Sequence, residues 1–151
     1  GSERVKRLNA FSVVDSDGES KVVRWSMVPH TNYQPINAAD KNDSNVLQSD
    51  LQRRLAKGPL QWDLISTVAD AQDKSSDASI AWPADRQTIK AGTLTINQTT
   101  PQQQGACNDI NYDPLILPEG ITASDDPILN ARSSAYAKSY NARTREQAGA
   151  H

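Results

Sequence analysis

The stretch Ser-Asp-Asp-Pro-Ile-Leu-Asn-Ala-Arg-Ser-Ser-Ala-Tyr-Ala-Lys-Ser-Tyr, residues 124–140, gives the strongest indication of local structure in the chain. Acidic side chains before a proline are typical of a helix start, because proline fits the first helical position and carboxylates favour the positive end of the helix dipole. The sequence therefore predicts a helix that begins at Pro127 and runs to about Tyr140, with a frayed tail after Thr144.

An arginine and a tyrosine lie one turn apart on this helix. Residues spaced by four share one side of a helix, and here they are Ile128, Arg132, Tyr136 and Tyr140. A guanidinium one turn before a phenol can hydrogen-bond the phenol oxygen and favours its anionic form, which is a hard ligand suited to ferric iron. Taken alone, the pair is explained more simply by an amphipathic helix with a satisfied arginine and a packed tyrosine.

The first hundred residues are predicted to form strands around one helix. A hairpin is indicated over residues 9–29, where the turn sequence Asp15-Ser16-Asp17-Gly18 separates two apolar runs. A surface helix is predicted from about Ser44 to Lys57, and strands over 60–68 and 93–99. Residues 101–126 are rich in proline yet keep several large apolar side chains, which indicates a long ordered connector.

Composition restricts the classes of partner. Of 151 residues, 36% are hydrophobic and 5% aromatic, which is lean for an independent core, so we expect a macrocycle, a missing segment or a second copy to complete it. The net charge of −2 gives no basic face for nucleic acid, and no apolar run is long enough for a membrane span. One cysteine, Cys107, and two histidines, His30 and His151, exclude a cysteine or histidine cage for a metal. Cys107 is expected to be a buried or half-buried small side chain.

No targeting segment is recognised, and both the cytoplasm and the periplasm stay open as compartments.

Several short motifs follow one another along the chain. They are Asn9-Ala10-Phe11, Asp15–Gly18, Val23-Arg24-Trp25, Leu51–Gly58 with Pro59 and Trp62, Ala81-Trp82-Pro83 with Asp85-Arg86, Gly92-Thr93-Leu94, Asn111-Tyr112-Asp113-Pro114, Leu117-Pro118-Glu119-Gly120-Ile121, and Ser124–Pro127 followed by Arg132–Tyr136.

With these motifs the chain resembles the catalase superfamily, most closely its small catalase-related peroxidase branch, over about residues 8–143. The resemblance implies an α+β fold in which residues 1–151 are the C-terminal half of a catalase-like domain. Residues 9–100 would give strands of an antiparallel catalase-type β-barrel together with the surface helix 44–57. Residues 101–126 would be the wrapping connector, and 127–143 the helix that carries the proximal tyrosine.

The resemblance also implies a haem site. Tyr136 stands at the position of the proximal ligand to the iron of haem b. In catalases generally, the proximal haem ligand is a tyrosine. Arg132 stands where an arginine keeps that tyrosine anionic, and Asp126 where an acidic residue supports the arginine. Arg143 matches an arginine that pairs with a haem propionate, although a solvated terminal charge explains it equally well. Ala135 leaves room for the macrocycle.

Two departures accompany the resemblance. Ser26 stands where many catalases carry a histidine behind the proximal arginine, so that relay is expected to be shortened or absent. The distal histidine and asparagine of the family belong to a segment before residue 1, and His30 does not match the distal motif. Tyr140, where large catalases carry a histidine, is given no ligand role.

The function that the resemblance implies is consumption of hydrogen peroxide or an organic peroxide by a haem oxidoreductase, with this chain supplying the proximal side. The N-terminal half of the same fold would then be a partner, and a homo-oligomer is compatible with the sequence. The alternatives are a non-enzymatic, catalase-like haem-binding or assembly fragment and a β-rich domain without a cofactor.

Overall fold

The computed structural model describes residues 5–6, 8–32, 42–100 and 106–149. Its strands are β1 (Val5–Lys6), β2 (Phe11–Val14), β3 (Ser20–Pro29), β4 (Leu60–Val68), β5 (Thr88–Ile96) and β6 (Ile121–Ala123). Its helices are α1 (Val46–Leu55) and α2 (Pro127–Ala148), with a short 3₁₀ helix at Ala106–Asp109. The strands form one sheet in the order β5-β4-β3-β2-β6, and β1 pairs with β3. A sheet with two helices fits the predicted α+β class.

The predicted hairpin is confirmed. β2 and β3 pair antiparallel with Phe11 opposite Val23, and the turn between them contains Gly18 at a φ of 82°. The Asp15 carboxylate organises this turn, since it accepts hydrogen bonds from the Glu19 amide at 2.9 Å and from Lys21 Nζ at 2.8 Å. The pKa of Asp15 is lowered, and the hydrogen bond from Lys21 is the largest cause.

One compact unit comprises Gly1–Lys6, Trp25–Ser66 and Thr88–Thr100. It contains α1, which lies within the predicted helix 44–57 and is followed by Gly58 at a φ of 145°, where a side chain would be strained. β4 has the predicted bounds and begins at the buried Leu60. β5 begins at Thr88, before the predicted Thr93, so Gly92 lies inside the strand rather than ahead of it.

The other unit comprises residues 7–24, 67–87 and 101–151. Here β6 pairs antiparallel with β2, with Phe11 opposite Ala123, and adds a strand that the sequence did not indicate. This strand lies inside the predicted connector 101–126, of which residues 101–105 are outside the described part. The Val14 amide donates to the Gly120 carbonyl at 2.8 Å, and Gly120 has a φ of 82° at the turn before β6.

α2 begins where the sequence predicts it. Asp126 is the N-cap, and its Oδ1 accepts a hydrogen bond of 2.9 Å from the Ile128 amide. The helix continues to Ala148, past residue 143 and through the segment expected to fray. Residues 143–148 contain neither glycine nor proline to stop it, and Gly149 lies at its C-cap.

The core of the described residues is small. Its buried apolar side chains are Ala10, Phe11, Val23, Leu60 and Leu129. Many large apolar side chains are exposed, including Leu94 on β5 and Ile116 before β6. Cys107 is exposed, so the expectation of a buried or half-buried thiol was wrong.

The sheet as described is open, since β5 and β6 lie at its two ends, and a closed barrel stays a prediction. Neither described helix combines the length and the apolar character that crossing a bilayer requires.

Candidate functional site

Arg132 and Tyr136 are in contact on α2. Arg132 Nη2 donates to Tyr136 Oη over 3.2 Å, and the guanidinium carbon lies 5.6 Å from the centroid of the tyrosine ring. Tyr136 is 36% exposed. The structure therefore brings together the two residues that the sequence spacing paired, with the phenol oxygen facing a positive charge.

Asn9 connects this pair to Asp126. Arg132 Nη1 donates to Asn9 Oδ1 at 2.9 Å, and Asn9 Nδ2 donates to Asp126 Oδ2 at 2.9 Å. The amide orientation follows from chemistry, because a guanidinium only donates and an ionised carboxylate only accepts. The support from Asp126 to Arg132 is thus indirect and passes through a neutral amide.

The relay of Asp126, Asn9 and Arg132 starts in the interior. Asn9 is 3% exposed and Asp126 is 1% exposed, beside the fully buried Leu129. Buried polar groups are costly unless they are paired, so the two hydrogen bonds of the Asn9 side chain are a requirement of its position. In the sequence, Asn9 stands out only as part of a short motif. The signal for its role is a polar residue directly before Ala10 and Phe11, which are buried.

Ser26, where the resemblance placed the histidine of the relay, lies on β3 opposite Lys6. The side chain that bonds to Arg132 comes instead from Asn9, just before β2. Arg132 is therefore bonded to an amide from the segment before β2.

One side of α2 changes from buried to exposed. At about 100° per residue, Leu129, Arg132 and Tyr136 point within roughly 60° of one another. Leu129 is fully buried, Arg132 is half-buried and Tyr136 is 36% exposed. Ala135, the residue before the tyrosine, is also exposed.

Arg143 shares that side of α2 two turns after Tyr136. Its Nη2 donates to the Ile110 carbonyl at 2.9 Å, and its guanidinium lies 5.6 Å from the centroid of the Tyr140 ring. Seven residues of helix place it roughly 10 Å beyond Tyr136 along the axis.

The segment before β6 is bonded to α2 at two further points. Ser133 Oγ donates to Asp113 Oδ2 at 2.5 Å, and this hydrogen bond lowers the pKa of Asp113. Tyr140 Oη donates to Asp109 Oδ1 at 2.6 Å, and this hydrogen bond raises the pKa of Tyr140. Residues 109–113 are thereby held along the same helix that carries the Arg132–Tyr136 pair.

A second polar cluster lies in the other unit. Asp63 Oδ1 accepts from Lys90 Nζ at 2.8 Å, from His30 Nε2 at 2.9 Å and from Thr93 Oγ1 at 2.8 Å. These bonds, the one from Lys90 above all, hold the pKa of Asp63 well below its usual range. His30 thus pairs with a carboxylate of the sheet. Among the described residues, no three His, Cys, Asp or Glu side chains gather as a metal site.

The chain has the fold of catalases. It matches the structure of catalase A from Saccharomyces cerevisiae with a TM-score of 0.80 at 15% identity, over 94% of this chain and 32% of that one. At that identity the match shows the fold alone. The fold and the site together define the class of protein: a catalase-like α+β fold with an arginine–tyrosine pair on its last helix.

The chain belongs to the catalase family. The family profile, described as Catalase, matches residues 5–148. The chain is 39% identical to the catalase-related peroxidase of Synechococcus elongatus over 140 residues, which cover 91% of this chain and 41% of that protein. It is 32% identical to the catalase-related peroxidase of Mycolicibacterium paratuberculosis over 145 residues, covering 95% and 46% respectively. The chain therefore spans less than half the length of either relative.

Proposed function

We propose that this chain supplies the proximal haem side of a peroxide-consuming oxidoreductase, with Tyr136 as the ligand to the iron. The observation that carries the proposal is the 3.2 Å hydrogen bond from Arg132 to Tyr136 Oη, on a helix side that becomes exposed at that residue. Membership of the catalase family and the similarity to catalase-related peroxidases support the same chemistry.

The residues around Tyr136 fit a haem. A ferric iron takes an anionic oxygen ligand, and a guanidinium beside the phenol oxygen stabilises that anion. The side of α2 that is closed at Leu129 is open at Tyr136, and the small Ala135 beside it leaves space for a flat macrocycle. When bound, the haem supplies the redox chemistry, while the protein supplies ligand, orientation and field.

Arg132 faces the Tyr136 oxygen with a positive charge and fixes its direction. Its two terminal nitrogens are used separately, one on Tyr136 and the other on Asn9, so the guanidinium plane is held at both ends. Asp126 completes the chain of hydrogen bonds and also caps α2, which ties the position of Arg132 to the start of the helix. In this role Asn9 and Asp126 are positioning residues.

Arg143 is proposed to pair with a haem propionate. It lies on the same side of α2 as Tyr136, at a distance along the axis that suits the edge of a macrocycle rather than its centre. Its bond to the Ile110 carbonyl and its place beside Tyr140 would hold the guanidinium toward that edge.

The distal half of the site is proposed to come from the N-terminal half of the same fold. The chain spans less than half of its relatives. β5 lies at the end of the open sheet with most of its side chains exposed, which leaves an edge for further strands. A distal histidine on the added half would move a proton between the oxygens of hydrogen peroxide or an organic peroxide.

The Tyr136→Phe variant tests the ligand. Phenylalanine keeps the ring and removes the oxygen, so we expect the absorption bands of ferric haem bound through tyrosinate to be lost. Tyr112→Phe removes another exposed phenol and serves as the control, with bands unchanged. Unaltered bands in Tyr136→Phe, or a wild-type protein that takes up no haem on reconstitution, would refute the proposal.

A second candidate function is non-enzymatic haem binding or assembly by a catalase-like fragment. The observation that favours it is that this chain supplies the relay of Asp126, Asn9 and Arg132 and also Tyr136, to which Arg132 is bonded. A peroxide-consumption assay on the full-length, haem-loaded protein, with the N-terminal half present, separates the two, since a binding element leaves the peroxide concentration unchanged.

A further inference from the structure

A second phenol on α2 is bonded to a carboxylate. Tyr140 Oη donates to Asp109 Oδ1 over 2.6 Å, which joins the helix to the short 3₁₀ helix Ala106–Asp109. The pKa of Tyr140 is raised first by this hydrogen bond, because the carboxylate charge disfavours a phenolate beside it. Tyr140 therefore keeps its proton at neutral pH, with a base already in contact with that proton.

We propose that Tyr140 and Asp109 form a redox-active pair at which a small phenol from solution delivers electrons to the haem site. This inference rests on the proposed function for its oxidant, and it goes further by naming the place and the chemical class of the reducing substrate. Neither residue was given a role by the resemblance to catalases.

The position of Tyr140 suits electron transfer to the site at Tyr136. The two residues are four positions apart on α2, which places their Cβ atoms about 5–6 Å from each other with no residue between them. Tyr140 is half-buried, and its hydrogen bond to Asp109 lies at the exposed surface. A substrate of the size of a single phenol can therefore approach the Tyr140 oxygen from solvent.

Arg143 makes the proton acceptor necessary. Its guanidinium carbon lies 5.6 Å from the centroid of the Tyr140 ring. A ring that lost an electron and kept its proton would be cationic, and the arginine charge opposes that state. A ring that loses both is neutral, so oxidation must accompany transfer of the proton to Asp109. Geometry meets the requirement for a base, since the two oxygens are within hydrogen-bond reach.

One electron leaves Tyr140 for an oxidising equivalent supplied by the peroxide reaction, the phenol O–H bond breaks, and an O–H bond forms on Asp109. A substrate phenol then gives one electron to Tyr140, Asp109 returns its proton to the tyrosine oxygen, and the substrate proton passes to water. Two phenols leave as phenoxyl radicals for each hydrogen peroxide, which takes two electrons and two protons to become two waters.

The first test uses the full-length, haem-loaded protein mixed with one equivalent of peroxide and frozen for electron paramagnetic resonance. We expect a radical whose hyperfine structure narrows when the protein carries ring-deuterated tyrosine. The signal should be lost in Tyr140→Phe and retained in Tyr112→Phe, because Tyr112 contacts the Cys107 thiol rather than a carboxylate. Oxidation of a simple phenol should slow about a hundredfold in Asp109→Asn, the low end of what a positioned base contributes. An undiminished radical in Tyr140→Phe, or phenol oxidation unchanged in both pair variants, overturns the proposal.

The second test needs no haem and so separates this proposal from the proposed function. A flash-generated ruthenium(III) tris-bipyridine complex oxidises surface tyrosines of the haem-free protein. The share of the oxidation rate that is due to Tyr140 is the difference in rate between wild type and Tyr140→Phe. We expect Asp109→Asn to slow that share about a hundredfold and to change its solvent isotope effect. A protein that binds no haem but shows this dependence would refute the ligand and support the pair. Equal rates in wild type and Asp109→Asn would overturn the pair whether or not haem binds.

Discussion

The side-chain amide of Asn9 donates to Asp126 over 2.9 Å, although 117 positions separate the two residues. The carbonyl of the same amide accepts from Arg132. Since an amide has no net charge, the carboxylate of Asp126 acts on Arg132 from one residue away and does not form an ion pair with it. The second terminal nitrogen of Arg132 is thereby left to donate to the Tyr136 oxygen.

Replacing Asn9 by alanine should destabilise the protein and loosen Arg132 together. The change leaves a buried carboxylate oxygen and a guanidinium nitrogen without their partner, and each buried unpaired polar group costs about 1–3 kcal/mol. We expect a loss of about 2 kcal/mol in the free energy of unfolding, measured by urea denaturation, and weaker haem binding in the reconstituted protein.

Asn130→Ala is the matched control for Asn9→Ala. Asn130 is exposed on α2 close to the same relay, and alanine is the better helix former. This variant should therefore unfold at the same or a slightly higher urea concentration. Equal stability of Asn9→Ala and Asn130→Ala would show that the amide bridge contributes nothing measurable.

Substitutions of Arg132 separate its charge from its geometry. Lysine keeps the charge but cannot span Asn9 and Tyr136 with two fixed nitrogens, and glutamine removes the charge. Because a charge-assisted hydrogen bond contributes about 1.5 kcal/mol, we expect haem affinity to fall about tenfold in Arg132→Lys and further in Arg132→Gln. Spectroscopic titration of the haem-free protein measures both, with the exposed Arg145→Gln as the control. An order in which lysine is no better than glutamine would contradict a role for the charge.

The parts of the fold that follow from local sequence could be predicted. The turn around Gly18, the bounds of β4 and the start of α2 at Pro127 depend on residues that are neighbours in the chain. The Arg132–Tyr136 contact belongs with them, because four positions on a helix determine it. β6 could not be predicted in this way. Three residues are too few to show the alternation of apolar side chains typical of a strand, and the pairing of β6 with β2 is a tertiary contact.

Asn9 and Arg24 show why the remaining contacts could not be predicted from the sequence. Both are polar residues buried among apolar neighbours, and in each case the partners are distant in sequence. Arg24 lies on β3, on the opposite face from Val23 and Trp25. It is buried because the loop 74–82 folds over it and places Trp82 4.3 Å from its guanidinium carbon. Alternation along a strand predicts a face, but it does not predict which loop will cover that face.

Arg24 should tolerate no conservative replacement. Its guanidinium donates to the carbonyls of Ile80 at 2.7 Å, Asp77 at 2.9 Å and Lys74 at 3.2 Å. An ammonium on a flexible chain cannot reproduce this planar fork, so Arg24→Lys should lower the free energy of unfolding by about 2 kcal/mol, through carbonyls left unpaired. Urea denaturation gives the stability, and protease cleavage within residues 74–82 reports the loosened loop. Arg145→Lys, at an exposed position, should change neither.

Asp63 should make the stability of the protein depend on pH. Its pKa is held below the usual range by the hydrogen bonds from Lys90, His30 and Thr93, so folding favours the ionised form. A depressed pKa in the folded state contributes stability above the ordinary aspartate pKa of about 4, and the contribution is lost as pH falls through the folded value. Asp63→Asn should therefore have a lower melting temperature than wild type at neutral pH, and this gap in melting temperature should close in acid. High salt should narrow it, because these side chains are in part exposed and their charges are screened. Thermal melts across pH measure the gap, and Asp17→Asn in the exposed hairpin turn is the control. A gap that persists unchanged in acid would mean that the carboxylate charge is not what stabilises this part of the sheet.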